Sequence, residues 1–393
     1  MKNPILIAGG GIGGLAAALA CARVDRQVQL LERSATFGEV GAGIQLGPNV
    51  VRLLHGWGLE AELRRVAAFP DTLHARSAAT GAELGRLRLG QQMRETYGAP
   101  YLTLHRADMH ALLLQAVQQQ GNTDIHLGQG LVSLVLEGDG VKAQTQDGLE
   151  LTGEALIGAD GLWSRVRQLL LDDGPPRVTG HLALRSMVAQ KDLPEALRSQ
   201  QVTIWLGERL HLVQYPVRGG DWVNFVGIVQ GQIEGNLNDW DHATNARDLR
   251  RALAGSCREL QDLVGAISQW RLWALCDRPP IRGAHEHARG RVALLGDAAH
   301  PMRPYLAQGA GMAIEDAACL QKALDASESP MAQRLQTYAE QRWQRNARVQ
   351  ARSIRNGTIF HASGLLRWGR DKTMRLLGER VMDVPWLYQG PSA

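Results

Sequence analysis

The segment from Ile5 to Glu32 has the clearest pattern of apolar and glycine-rich positions in the chain. An apolar run, Ile5–Ala8, precedes a cluster of glycines, and an Ala/Leu-rich stretch then leads to a second apolar run, Val28–Leu31. A short apolar run beside glycines is typical of a strand buried in a parallel sheet. The pattern therefore predicts a strand, a helix and a second, parallel strand.

Gly9, Gly11 and Gly14 follow the first run with the spacing G-x-G-x-x-G. In dinucleotide-binding proteins these positions allow a tight turn, close approach of a pyrophosphate, and packing of the helix against the strand. The helix start offers N–H groups and the positive end of its dipole to the phosphates. Glu32 ends the second strand 18 residues after Gly14, where its carboxylate can accept hydrogen bonds from a ribose. We predict an adenine dinucleotide here.

The rest of the chain alternates between helical and strand-like patterns. In its first half we predict a loop over residues 33–50, a helix from Pro48, a hairpin over Thr72–Leu89, a helix over residues 109–119 with Asp108 as N-cap, and short strands within 125–151. In its second half we predict a mostly antiparallel sheet over 179–272 with helices within 249–267, a strand at 291–295, a helix at 309–324 and an Arg-rich helical tail.

These elements predict an α/β fold with a Rossmann-like dinucleotide-binding domain, a second and mostly antiparallel β-sheet domain, and a C-terminal helical segment. The predicted dinucleotide-binding domain consists of residues 1–71, 101–178 and 273–340. The predicted second domain consists of a hairpin over 72–100 and residues 179–272. Residues 341–393 form the predicted helical segment.

Composition narrows the class of protein. The 393 residues are 45% hydrophobic and 21% charged, with a net charge of +4, as expected for a globular protein with two cores. No basic block with interleaved aromatics favours nucleic-acid binding, and no run of 18 apolar residues predicts a membrane span. Four scattered cysteines predict neither a disulfide framework nor a metal site. With no room for a signal peptide before the first strand, we expect a cytoplasmic protein.

Two further motifs follow predicted strands late in the chain. The first, Gly158–Arg167, reads GADGLWSRVR, and its Ser164 is a suitable helix cap. The second begins LGDAAHP at Leu295 and continues AQGAGMAIEDA from Ala307. There Asp297 ends a strand, and the glycines at 309 and 311 open a helix whose N–H groups would face an anion.

With these three motifs in this order, nearly the whole chain resembles the single-component flavoprotein aromatic hydroxylases, the para-hydroxybenzoate hydroxylase fold. Residues 41–49 (GAGIQLGPN) and 211–220 (HLVQYPVRGG) are similar to the salicylate hydroxylase and 3-hydroxybenzoate 6-hydroxylase branch. Residues 301–309 (PMRPYLAQG) are similar to 6-hydroxynicotinate 3-monooxygenase.

The resemblance implies tightly but non-covalently bound FAD, with Glu32 on the adenosine ribose, Arg106 near the pyrophosphate and Asp297 on the ribityl chain. The implied cofactor-binding residues are Gly9, Gly11, Ile12, Gly13, Gly14, Glu32, Arg33, Gly43, Ile44, Arg106, Leu131, Asp160, Asp297, Gly309, Ala310, Gly311 and Met312. No second G-x-G-x-x-G with a following acid occurs. NAD(P)H is therefore expected as a visiting co-substrate.

The resemblance also implies the reaction, in which NAD(P)H and O2 form a flavin C4a-hydroperoxide that hydroxylates an electron-rich ring. A phenol has a pKa near 10, so a hydrogen-bonded base favours its attack. His211 and Tyr215 lie four residues apart on a predicted strand, which places both on one face. We predict that His211 takes the phenol proton and that Tyr215 donates to, or relays from, the same oxygen. The alternative is a structural histidine and tyrosine.

The substrate prediction is a small phenolic acid of the 3-hydroxybenzoate or salicylate type. Gly47 and Met302 replace histidines of the 6-hydroxynicotinate enzymes, whose decarboxylative hydroxylation is the alternative, and Pro304 replaces a glutamine of the 3-hydroxybenzoate enzymes. Arg185, Arg209 and Arg218 are the candidates for a substrate carboxylate, and Arg218, directly before Gly219 and Gly220, is expected in an exposed turn. His300 is predicted to be structural. A non-catalytic flavin-binding redox protein is the alternative from another class, and a homodimer is compatible with the resemblance.

Overall fold

The computed structural model describes residues 3–38, 42–231, 242–244, 247–325 and 328–391. Gly41, the first residue of the GAGIQLGPN segment, lies outside the described residues. So do residues 232–241 and 245–246 of the predicted antiparallel sheet. The strands are β1 (Ile5–Ala8), β2 (Val28–Glu32), β3 (Gly43–Leu46), β4 (Thr72–Ser77), β5 (Glu83–Arg88), β6 (Leu102–His105), β7 (Thr123–Leu127), β8 (Leu131–Glu137), β9 (Gly140–Thr145), β10 (Glu150–Gly153), β11 (Ala155–Gly158), β12 (Arg177–Ala189), β13 (Val202–Leu206), β14 (Leu210–Val217), β15 (Trp222–Gln230), β16 (His242–Thr244), β17 (Trp270–Asp277), β18 (Ala288–Arg289) and β19 (Val292–Leu294).

The α-helices fall between these strands and, at the C-terminal end, follow them. They are α1 (Ile12–Ala22), α2 (Pro48–Gly56), α3 (Glu60–Val66), α4 (Gly90–Tyr97), α5 (Arg106–Gln120), α6 (Arg165–Leu171), α7 (Arg247–Ala252), α8 (Arg258–Gly265), α9 (Gly309–Asp325), α10 (Met331–Phe360), α11 (Gly364–Leu377), α12 (Glu379–Met382) and α13 (Pro385–Tyr388). The chain packs as two compact units, described separately here.

The first unit comprises residues 1–40, 107–177 and 277–353. Its six-stranded sheet has the order β18-β19-β11-β1-β2-β7. All neighbouring pairs are parallel except β18 with β19. The central strand β1 is fully buried, as its unbroken apolar sequence requires for a parallel strand covered on both faces. This is the predicted Rossmann-like layer, and it is confirmed.

The second unit comprises residues 41–106, 178–276 and 354–393. Its eight-stranded sheet has the order β16-β17-β12-β15-β14-β13-β4-β5. Described pairings are antiparallel apart from β13 with β4. One face packs into a core with side chains of α7 and α8, including Leu184, Leu212, Phe225 and Leu260. The mostly antiparallel second sheet is therefore confirmed, and so are the C-terminal helices.

Two local predictions are wrong. Residues 33–50 are not a continuous loop, because Gly43–Leu46 form β3, which pairs antiparallel with β6. Asp108 is not the N-cap of α5, because the helix begins at Arg106, directly after β6. In both cases the determining partner is remote: the N–H of Arg106 donates to the carbonyl of Ala42, which no local pattern reveals.

The units also divide the chain at other residues than the predicted domains do. Residues 41–71 and 354–393 pack with the second unit. In the described part of the chain, no helix is long and apolar enough to cross a membrane.

Candidate active site

The loop after β1 is shaped by glycines with different local surroundings. Gly9 has a φ of 107°, and a Cβ there would overlap the carbonyl of Ala159. A Cβ on Gly14 would overlap the carbonyl of Gly9, so this glycine allows α1 to approach the strand end. A Cβ on Gly11, by contrast, would meet no atom of a described residue within 4 Å. The loop therefore leaves open the position where a pyrophosphate approaches the backbone.

Glu32 lies at the carboxyl end of β2 beside this loop. Its Oε2 accepts a hydrogen bond from the N–H of Gly10 at 2.7 Å, and its Oε1 accepts one from the N–H of Ser34 at 2.8 Å. These bonds fix the carboxylate, and each oxygen keeps a further lone pair for a ribose hydroxyl. The loop and this carboxylate fit the adenosine diphosphate half of FAD.

The other predicted cofactor residues of the first unit lie in several elements. Ile12 and Gly13 begin α1, Arg33 is exposed after β2, and Leu131 begins β8. Asp297 is exposed in a short 3-10 turn at Gly296–Ala298 whose neighbours are buried. Gly309, Ala310, Gly311 and Met312 form the first turn of α9.

Asp160 has hydrogen bonds of its own. One carboxylate oxygen accepts from the Ser164 hydroxyl at 2.5 Å, and the other accepts from the N–H groups of Arg165 and Val166 at 2.7 and 3.1 Å. Ser164 caps α6, as its sequence position predicts, by accepting from the N–H of Arg167. Burial raises the pKa of Asp160, and these hydrogen bonds oppose the shift. The residue therefore stabilises the start of α6.

A buried network of charged side chains joins α9 to α10. The Asp316 carboxylate accepts from Arg342 at 2.7 Å and lies 2.5 Å from His300 Nε2. Arg342 also donates to Glu315 at 3.0 Å. Burial raises the pKa of Asp316, but the neighbouring His300 and Arg342 hold it below its usual range. The N–H of Gly296 also donates to Asp316 at 3.1 Å, so the network fixes the turn that carries Asp297.

In the second unit, β14 directs alternate side chains to opposite faces of the sheet. Leu210 and Leu212 point into the core, and His211, Val213 and Tyr215 point the other way. By register, Val226 and Asn224 of β15 and Arg185 of β12 share this second face, which we call the His211 face. His211 and Tyr215 are 2% and 3% exposed.

His211 belongs to a cluster of three histidines. Its Nδ1 lies 2.8 Å from Nε2 of His361, just beyond the end of α10. The rings of His181 and His361 have centroids 5.0 Å apart, and Phe360 packs edge-on against His211. Burial, His361 and His181 hold the pKa of His211 well below its usual value. The imidazole is therefore neutral near pH 7 and presents one donor and one acceptor nitrogen.

Tyr215 has structural partners. Its hydroxyl donates to the carbonyl of Gly43 at 2.6 Å, and the side chain of Gln45 hydrogen-bonds to the same hydroxyl. Asn224 Oδ1 accepts from the N–H of Gly43 at 2.7 Å. Burial raises the pKa of Tyr215, although Arg185 and Gln45 oppose the shift. The tyrosine thus holds β3 on the sheet, and its hydroxyl hydrogen is already committed to the backbone.

The remaining predicted residues of the second unit are close to this tyrosine in sequence or structure. Gly43 and Ile44 begin β3, and Arg106 begins α5. A Cβ on Gly43 would lie 2.5 Å from Cε2 of Tyr215, so only glycine allows this approach. Among the candidate arginines, Arg209 and Arg218 are exposed and Arg185 is partly buried on the His211 face.

Sequence reasoning did not single out His361 or Asn224. His361 follows His211 by 150 residues and sits in an Arg-rich tail, so nothing local to it indicates a partner. Asn224 lies opposite Tyr215 in the β14–β15 register. Pairing these two strands as a hairpin in the sequence would have placed Asn224 beside Tyr215. Among the described residues, no group of three or more His, Cys, Asp or Glu side chains could hold a metal ion.

Comparisons with known proteins agree with this geometry. A family model described as an FAD binding domain matches residues 2–353. The chain is 40% identical over 365 residues to 3-hydroxybenzoate 6-hydroxylase 1 of Aquipseudomonas alcaligenes, covering 93% of this chain and 91% of the relative. It is 36% identical over 351 residues to 6-hydroxynicotinate 3-monooxygenase of Bordetella bronchiseptica, covering 89% and 90%.

A solved structure of a salicylate hydroxylase substrate complex has a TM-score of 0.82 with this chain. The identity is 26%, over 98% of this chain and 95% of that chain. The matched family model extends across the glycine loop, the GADG and GDAAH motifs and the sheet that bears His211. The chain therefore belongs to the FAD-binding family of aromatic hydroxylases and is an FAD-dependent aromatic monooxygenase.

Proposed function

We propose that the protein hydroxylates a small phenolic acid, with 3-hydroxybenzoate as the first candidate, using NADH or NADPH and O2. The relatives named above act on rings that carry both a hydroxyl and a carboxylate. The observation that carries the proposal is the neutral, buried imidazole of His211, held by His361 on a sheet face whose neighbouring side chains Val213 and Val226 are apolar. Such a face suits an aromatic ring with one acidic hydroxyl.

FAD, when bound and reduced, supplies the electrons with which O2 is activated for transfer of one oxygen atom to the ring. We assign its adenosine ribose to Glu32, its pyrophosphate to the open position at Gly11, and its ribityl chain to Asp297. The first turn of α9, Gly309–Met312, offers N–H groups and a helix dipole to negative charge on the reduced ring. We assign FAD binding to the predicted nucleotide-binding segments and substrate binding to the antiparallel sheet.

His211 acts on the substrate hydroxyl. In the tautomer with hydrogen on Nδ1, its Nε2 accepts a hydrogen bond from the phenol while Nδ1–H donates to Nε2 of His361. Because the pKa of His211 is well below its usual value, the ring does not keep the phenol proton as a stable imidazolium. The imidazole shares the proton while the substrate ring reacts, and it passes the proton on toward His361. This increases the electron density on the phenol oxygen, which activates the ring carbons.

Tyr215 contributes by position. Its hydroxyl hydrogen is held by Gly43, so it acts on the substrate through the placement of β3 and through the remaining acceptor capacity of its oxygen. The cytoplasmic location and the homodimer stay predictions.

A substrate screen tests the proposal. The purified protein is loaded with FAD, and NADH and NADPH oxidation are measured with 3-hydroxybenzoate, salicylate, 4-hydroxybenzoate and 6-hydroxynicotinate, with products identified by mass. We expect the strongest stimulation with 3-hydroxybenzoate and a product heavier by one oxygen atom. Loss of CO2 from 6-hydroxynicotinate as the preferred reaction would favour the decarboxylative alternative. A yellow protein that turns over none of these acids would favour the non-catalytic redox reading.

A further inference from the structure

Arg185 lies at the centre of the His211 face. Register places Arg185 opposite Val226, and Val226 opposite Val213, in one row across β12, β15 and β14. His211 and Tyr215 flank Val213 on the same face of β14. With neighbouring strands about 4.8 Å apart, the backbone of Arg185 lies roughly 10 Å from that of Val213. The two valines form an apolar floor between a cation on β12 and an imidazole on β14.

The guanidinium of Arg185 is stacked on an aromatic ring but has no acidic partner in the part of the chain that the structure describes. Its Cζ lies 3.9 Å from the ring centroid of Trp273. Among the described residues no carboxylate pairs with it, and its buried Nε has no hydrogen-bond acceptor. Burial lowers the pKa of Arg185 to about 10; Tyr215 opposes this shift and Arg106 adds to it. The group stays charged at neutral pH.

A second arginine on the same sheet illustrates how a guanidinium is stabilised when its role is only structural. Arg76 of β4 lies 4.2 Å from the ring centroid of Trp205 and also forms two hydrogen bonds to the carboxylate of Glu259. Both arginines thus stack on a tryptophan, but among the described residues only Arg76 is paired with a carboxylate. Since desolvating a guanidinium without a counter-ion is unfavourable, packing alone does not explain Arg185.

We propose that Arg185 binds the carboxylate of the substrate, with the ring over Val226 and Val213 and the hydroxyl at His211. This inference rests on the proposed function and names the group that recognises the acid. A planar guanidinium can donate two parallel hydrogen bonds to one carboxylate. Because Arg185 and His211 are two strands apart, one ring reaches both only if its hydroxyl is not adjacent to its carboxylate. The arrangement therefore favours 3-hydroxybenzoate over salicylate.

Calorimetric titration of the FAD-loaded protein with 3-hydroxybenzoate and with its neutral analogue 3-hydroxybenzamide tests the assignment. In Arg185→Met, which keeps a long apolar side chain on Trp273, we expect the affinity for the acid to fall by at least about 30-fold, and the affinity for the amide to change little. Arg185→Lys should recover part of the lost affinity for the acid, because lysine restores the positive charge but not the two parallel hydrogen bonds of a planar guanidinium. Arg76→Met is the matched control and should leave both affinities unchanged.

FAD content and the thermal unfolding midpoint of every variant show whether it is folded. An equal loss for acid and amide in Arg185→Met, or no loss for the acid, would overturn the role of Arg185 and leave the proposed function standing. A wild-type protein that binds neither compound and hydroxylates no phenolic acid would instead remove the proposed function, and this inference with it.

Discussion

Two clusters of buried polar side chains in this protein follow opposite rules. Around Asp316, every charge has a partner of opposite sign: Arg342 contacts Asp316 and Glu315, and both carboxylates raise its pKa although burial opposes the shift. On the His211 face, no carboxylate of the described residues pairs with Arg185, and His211 Nδ1 lies 2.8 Å from Nε2 of His361. The charges of the first cluster are paired within the polypeptide. In the proposed function, the second cluster also contacts an anionic, hydrogen-bonding ligand.

The histidines of the two clusters show the same difference. His300 Nε2 lies 2.5 Å from a carboxylate oxygen of Asp316. His211 lies against His361 and His181, and burial together with these two histidines holds its pKa well below the usual value. In the proposed function, the histidine beside the carboxylate supports the fold and the one beside other histidines exchanges a proton with the substrate.

The largest effect should come from breaking the first cluster. Arg342→Met leaves Glu315 and Asp316 buried without their principal cation, although Arg345 still reaches Glu315. We expect the free energy of unfolding to fall by about 3–5 kcal/mol, measured by urea denaturation of the FAD-loaded protein. Arg64→Met, which breaks only an exposed pair with Glu60, is the control and should change it by less than about 1 kcal/mol. An equally small loss in Arg342→Met would mean that the cluster tolerates unpaired charge.

Removing the His211 imidazole of the second cluster should affect chemistry and leave stability nearly unchanged. In His211→Gln we expect FAD to remain bound and the rate of hydroxylation to fall about 10²–10⁴-fold, because the phenol loses its proton acceptor. Product formed per NADH consumed is the measurement, by chromatography of the reaction mixture. An unchanged product yield would show that His211 is structural.

Tyr215→Phe separates placement from chemistry on the same face. The carbonyl of Gly43 loses its hydrogen bond, so we expect a loss of about 1–3 kcal/mol in stability and a rise in KM larger than any fall in kcat. Steady-state kinetics and thermal unfolding measure both quantities. A fall in kcat as large as that of His211→Gln, with stability retained, would restore Tyr215 as a direct participant in proton transfer.

The smallest effect should be a change in pH dependence. His361 contributes to the lowered pKa of His211, so His361→Phe should raise that pKa toward the usual value near 6.5. In the proposed mechanism His211 acts when it is neutral. The acid limb of the kcat/KM profile should therefore move to higher pH. An unmoved acid limb would show that His361 does not influence the titration of His211.

Local signals sufficed for the nucleotide-binding part of the fold. The apolar run, the three glycines and Glu32 lie within 28 residues, and their spacing carries the argument. The strand β3 and the partners His361 and Trp273 could not be predicted, because their contacts join residues 56 to 150 positions apart. Alternation along β14 correctly predicted that His211 and Tyr215 share a face. It could not show that the hydroxyl of Tyr215 is occupied by Gly43.

The empty space above Gly11 has a consequence for how the sequence can vary. No atom of the residues that the structure describes would collide with a methyl group at that position, and the backbone there is ordinary extended chain. Folding alone therefore places no demand for glycine on residue 11, unlike residues 9 and 14. Whatever requires a bare backbone at this point comes from outside the chain, so an alanine variant would separate the ability to fold from the ability to turn yellow.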